Sequence, residues 1–335
     1  MKKLLLSAAL LMLSAPAISA VTLKIATATP DGTQWMKDMR ASAKEINERT
    51  EGRVAFKYYG GGIKGSDSKM LSQIRIRQLQ GGAFTPTSLA AQYLDLNLYG
   101  MPLVFNSEEE AAYVRTKMDV GLQEGLEDAG FVNFGFATSG FANIMSNKPI
   151  QTLADLKGKR VWVPEGDVMS YKSMEALSLN PVTFPLTDVL TGLQTGLIDI
   201  VAIPVMVGLV LQWHTKVKYV TRMPLIYTFG YLAIDKKAFD KIGSDDQAIV
   251  REVMSKTYAN FDRASLADNE GAFKALLKSG IEEVRFDDKE FVKVRKLLLE
   301  SNLKLGSDGG FSLELYKEML DHIADYRSEK VAASE

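Results

Sequence analysis

The chain has 335 residues, 46% of them hydrophobic and 24% charged, with 26 Gly and 10 Pro, proportions that exclude a disordered or collagen-like polymer. The length suggests two domains, each large enough to bury its own core. The formal charge is −1, so no basic excess exists to neutralise nucleic-acid phosphates, and the lack of cysteine excludes disulfides, thiolate metal sites and cysteine nucleophiles.

Residues 1–20 read as a secretory signal peptide: Lys2 and Lys3, an apolar run over 4–13, then the small residues Ala17, Ser19 and Ala20. That run is shorter than the roughly 20 residues of a membrane span, so a soluble, periplasmic mature protein is expected. Residues 21–27 alternate as a strand. Asp31 and Thr33 offer caps for a helix to about 49, with Met36, Met39, Ala43 and Ile46 at helical spacing. A strand over 54–59, a glycine turn, a helix over 66–80 and a short strand over 82–85 complete a β-α-β-α-β series, which favours a parallel sheet with flanking helices. Ser107 followed by Glu108, Glu109 and Glu110 starts another helix, its acids placed where the helix dipole favours them.

Residues 131–138 and 143–146 look extended, and a second α/β series follows: strand 160–163, helix 168–177, strand 181–184, helix 187–195, strand 198–202. The apolar run 200–211 contains Pro204 and Gly208 and reads as a buried strand turning into a helix. Residues 225–234 form an extended stretch suited to crossing between lobes. Ser244 to Gln247 fits a capping box for a long helix, and helices dominate 288–332. The pattern is α/β, in two lobes.

Catalytic signatures are weak. Gly60, Gly62 and Gly65 fit GxGxxG between a strand and a helix, but no acid occurs between Asp67 and Asp95 to hold a ribose, so a flexible turn is the preferred reading. His214 and His322 lack metal-ligand spacing, and no GxSxG elbow occurs. No enzyme activity, cofactor or metal is expected.

The segment 147–164, with Asn147, Pro149, Asp155, Leu156, Lys157, Gly158 and Pro164, resembles the signature of the substrate-binding (P) subunits of TRAP transporters, the DctP-like family. Residues 101–105, 179–182 and 188–199 resemble further family segments in the same order. The resemblance implies a two-lobed periplasmic binding protein with a mixed, mainly parallel sheet in each lobe. Its interlobe cleft would close on a small-molecule ligand for delivery to the transporter's membrane subunits. It divides the chain into lobe I (21–139 plus 229–270) and lobe II (140–228 plus 271–335), with hinge candidates near Gly140 and Gly230.

The same resemblance exposes departures. Where most members carry an arginine that clamps the ligand carboxylate, this chain has Trp162, leaving Arg160, on the same strand face, as the reserve. The resemblance places other ligand positions at Ala28, Thr85, Ala142 and Ile203. A buried carboxylate without a cationic partner costs several kcal/mol, whereas apolar contact contributes about 0.8 kcal/mol per methylene. The expected ligand is therefore uncharged or substantially apolar, held by Trp162, Ile203, Met206, Phe141 and Phe84, with Tyr59, Gln34, Tyr171 and Asn143 as polar candidates. The alternatives are an ordinary organic acid clamped by Arg160 or a displaced cation, and a secreted α/β oxidoreductase using the glycine turn.

Overall fold

The computed structural model describes residues 20–332, and the signal-peptide reading of 1–20 lies almost wholly outside them. The strands are β1 (Val21–Ala26), β2 (Val54–Tyr59), β3 (Gly81–Phe84), β4 (Phe131–Asn133), β5 (Ala137–Phe141), β6 (Asn143–Ser146), β7 (Val161–Pro164), β8 (Pro181–Phe184), β9 (Ile200–Ile203), β10 (Tyr219–Thr221), β11 (Tyr227–Asp235) and β12 (Glu282–Val284). The helices are α1 (Gln34–Arg49), α2 (Asp67–Arg75), α3 (Glu108–Asp128), α4 (Leu153–Leu156), α5 (Val168–Ala176), α6 (Val189–Thr195), α7 (Val205–Val210), α8 (Lys236–Phe239), α9 (Ser244–Lys278), α10 (Asp288–Ser307) and α11 (Leu313–Ala332).

Two six-stranded sheets carry two lobes. The first has the order β2-β1-β3-β11-β4, with β5 also paired to β11; the second has β12-β10-β6-β9-β7-β8. Both are mixed. In lobe I only the β1 pairings with β2 and β3 are parallel, because the long return strand β11 runs antiparallel to β3, β4 and β5. In lobe II the β7, β8 and β9 set and the β10–β12 pair are parallel, while β6 is antiparallel to both neighbours.

The chain passes between lobes at Ala142 and again over residues 222–226, where Ala142 N–H donates to the Ile226 carbonyl at 2.8 Å. The expected hinge glycines, Gly140 and Gly230, sit just inside the lobe I sheet. Gly140 has φ +80°, and a Cβ there would lie 2.9 Å from Glu108 Oε1 and collide with the Asn269 amide, so this turn requires glycine. The 35-residue α9 packs on α1 in lobe I and on α7 in lobe II, tying the lobes together on one side.

The C-terminal helices divide differently from expectation. α10 packs on α5 in lobe II, but α11 packs on α3, and its Tyr316, Met319 and Ile323 belong to the lobe I core. Lobe II has two cores, one on each sheet face. Ile144, Val161, Val163 and Ile200 bury one, and Met145, Trp162, Val201 and Ile203 the other, as strand alternation requires.

Candidate functional site

A cavity of about 220 Å³ lies between the lobes. Lobe I supplies Thr85 and Thr87 after β3, Asn97 from the 3-10 turn over Leu94–Gly100, Ser139 on β5 and Tyr227 to Phe229 on β11. Lobe II supplies Trp162 to Glu165 around the end of β7, Asp167 at the start of α5, and Ile203 and Pro204 where β9 enters α7. Pro204 supplies the N-cap of that helix, the strand-to-helix turn its sequence foretells.

The lobes touch at the mouth. Ser68 Oγ donates to Glu165 Oε2 at 3.4 Å across the gap. Gly62 has φ +70°, and a Cβ on it would stand 2.9 Å from Thr187 Cγ2. The glycine turn thus serves close approach between lobes.

The electrostatics of this cavity are one-sided. Its lining includes Asp67, Glu165 and Asp167, and among the described lining residues there is no Lys, Arg or His. Burial raises the Asp67 carboxyl above its ordinary range, nearby Glu165 adds to the effect, and a hydrogen bond from the Ser88 hydroxyl opposes it. Ser88 in turn shares a 3.0 Å hydrogen bond with Thr85. Asp167 is raised by burial as well, and caps α5 by accepting from Ser170 N–H at 2.9 Å.

Arg115 is the one buried Arg or Lys among the described residues, and it stands behind Tyr227 outside the cavity lining. Its guanidinium donates to Asp119 at 2.9 Å, to Asp262 at 2.6 Å, to the Phe136 carbonyl at 2.7 Å and to Tyr227 Oη at 3.2 Å. No donor is left to reach a ligand past Tyr227.

Of the residues expected at the site, Trp162, Ala142, Ile203 and Thr85 line this cavity. Trp162 is 4% exposed; its indole N–H donates to the Phe184 carbonyl at 2.9 Å, and its ring meets Trp213 edge-on at 5.2 Å. It is a fixed wall, with its polar edge turned away.

The other expected residues lie elsewhere. Arg160 precedes β7 and forms a two-bond pair with Asp199, both contacts 2.8 Å, on a half-exposed side chain outside the cavity. Phe84 is buried in the lobe I core, and Ala28 and Met206 stand outside the lining. Phe141 and Asn143 line a second cavity of about 300 Å³ beside the crossing strands, with Glu108, Arg222 and Asn269. Tyr59, Gln34 and Tyr171 do not line the main cavity either: Tyr59 underlies the Lys64 ammonium at 4.4 Å, and Gln34 bonds Asp38.

Sequence reasoning did not anticipate Asp67, Asn97, Ser139, Glu165 or Asp167. The pair of acids flanking Gly166 after a strand was the one signal available for the lobe II carboxylates.

A family model for the bacterial extracellular solute-binding proteins of family 7, DctP, matches residues 25–303. The chain belongs to this family. DctP proteins are solute-binding proteins and not enzymes, which sets aside the oxidoreductase reading. The 2,3-diketo-L-gulonate-binding periplasmic protein YiaO of Escherichia coli K12 is 23% identical over 260 residues, 75% of this chain and 78% of that one. An uncharacterized Haemophilus influenzae protein is 26% identical over 218 residues, 64% of this chain and 65% of its own length. A TRAP periplasmic solute-binding protein from Haemophilus influenzae, solved with bound L-gulonate, superposes with a TM-score of 0.80 at 21% identity, covering 91% of this chain and 99% of that one. Among the described residues, no helix of this DctP protein is long and apolar enough to cross a membrane.

Proposed function

We propose that this DctP protein is the periplasmic solute-capture subunit of a TRAP-type secondary transporter, exported by the leader over residues 1–20. It closes its two lobes on a small molecule and presents it to the membrane subunits. Motion about Ala142 and residues 222–226 opens the cleft, and a ligand touching both lobes favours the closed form by its differential affinity for it.

The ligand's buried part is uncharged and substantially apolar. The observation that carries this reading is the cavity lining itself, three carboxylates and, among the described residues, no cationic side chain around an otherwise largely apolar wall. A ligand carboxylate would be desolvated there without a cationic partner, at a cost of several kcal/mol.

An organic acid is the second reading, and the relatives favour it: the names of YiaO and of the L-gulonate complex both speak of sugar acids. Titration calorimetry with L-gulonate and with its uncharged lactone separates the two. The apolar reading expects both polar sugars to bind weakly, with the anion the weaker. Micromolar L-gulonate binding with a much weaker lactone would establish the organic-acid reading instead.

A further inference from the structure

The cavity does not end at the cleft. It continues past Ala142 and Ile226 into the interior of lobe II, where Leu156, Val161, Val163, Met174, Leu177 and Phe286 line it. These side chains belong to the core on the sheet face opposite Trp162, and Ser170, one turn before Met174 on α5, is a polar lining residue beside them. Ala202 on β9 faces this side and stays partly exposed between the buried Val201 and Ile203.

Protein interiors are packed as tightly as organic crystals, and voids larger than a water molecule are few. A chamber walled largely by hydrocarbon gives water few partners, which favours apolar guests. The opposite end of the same cavity is polar, with Thr85, Thr87, Asn97 and Ser139 on the lobe I wall.

Resting on the apolar-ligand reading above, we infer that the ligand is an amphiphile with a single hydrocarbon arm. The arm enters the core of lobe II, and the polar end stays in the cleft. Lobe II is then a receptacle as well as half of a clamp. Each pair of methylenes that enters tightens binding by roughly tenfold until the chamber is full.

The test is calorimetric titration of the full mature chain with 1-hexanol, 1-octanol, 1-decanol and 1-dodecanol, uncharged probes that differ only in arm length. The wild type is expected to gain roughly tenfold in affinity per two carbons and then level off. Ala202→Phe, which fills the chamber, should weaken the longer alcohols at least tenfold. Leu177→Ala, which enlarges it, should move the plateau to longer chains and reads the same geometry in the opposite direction should the first variant fail to fold. If both variants keep the wild-type length dependence, the chamber assignment is overturned while the apolar-ligand reading stands. If no alcohol binds and L-gulonate binds tightly, the reading beneath the inference has failed as well.

Discussion

Replacing Trp162 by arginine introduces the residue type that the family resemblance places at this position, and the structure sets what this should cost. The indole is 4% exposed, donates a 2.9 Å hydrogen bond to Phe184 O and packs edge-on against Trp213. Losing the hydrogen bond costs about 1 kcal/mol and the ring pair about another. The unfilled volume and the buried guanidinium bring the total to roughly 3–5 kcal/mol. A domain with about 5–15 kcal/mol of stability survives that, near its limit. Urea denaturation measures the loss, and Trp162→Phe, which keeps an aromatic wall, is the control at about 2 kcal/mol. The gain is in ligand choice. A guanidinium at the wall of a cavity whose described lining holds no other cation should bind L-gulonate at least tenfold more tightly than the wild type does, since a charge-assisted pair contributes about 1.5–3 kcal/mol. Unchanged L-gulonate affinity in a folded Trp162→Arg protein would refute the view that this position decides the charge of the ligand.

Three other perturbations follow from the same geometry. Arg115→Met leaves Asp119 and Asp262 without their shared cation and should cost about 3–5 kcal/mol by chemical denaturation; a loss under 1 kcal/mol would mean the network contributes little. Asp67→Asn removes a carboxyl whose pKa burial has raised. Ionised Asp67 penalises the folded state above that raised pKa, and the penalty fades as pH falls toward the unfolded value, so the variant should be the more stable at pH 8 and lose its advantage by pH 4. Asp246 behaves in the opposite sense: the Arg53 guanidinium, bonded to it at 2.8 and 2.9 Å, holds its pKa below the ordinary range. Its contribution is present above the unfolded pKa and lost as pH falls through the folded one. Asp246→Asn should therefore cost about 2 kcal/mol at pH 7 and progressively less toward pH 2 in thermal melts.

Local signals in the chain were strong where one residue decides a boundary. Thr33, Ser66 and Ser107 each cap the helix that follows, and Pro181–Phe184 is a strand at the bounds its pattern gives. They failed where a distant partner intervenes. The helix after Ser66 stops at Arg75 instead of about 80, because Arg77 turns at φ +64° and Gln80 is drawn to β1, its side chain accepting from Lys24 N–H at 3.0 Å. The Ser244 to Gln247 pattern makes no capping box: Gly243 is the N-cap, Asp246 is taken by Arg53 and the Gln247 amide bonds Ile242 O. A capping box does form at Thr152 and Asp155, whose carboxylate accepts from Thr152 N–H at 2.8 Å.

The site was legible only in part for the same reason. A substitution such as Trp162 is visible against a family pattern. Arg160, which the alternation puts on the same face as Trp162, precedes β7 and is bound to Asp199, and only folding reveals that pairing. A chamber is harder still to foresee. Leu156, Leu177 and Phe286 are ordinary core residues in sequence, and the space between them arises from how α4, α5 and the segment before α10 pack.

The most direct measurement is to purify the protein from its native periplasm, weigh it by native mass spectrometry and identify what solvent extraction releases. The account predicts a retained molecule with a hydrocarbon arm and no anionic group. A small sugar acid as the retained species, held one to one, would contradict it.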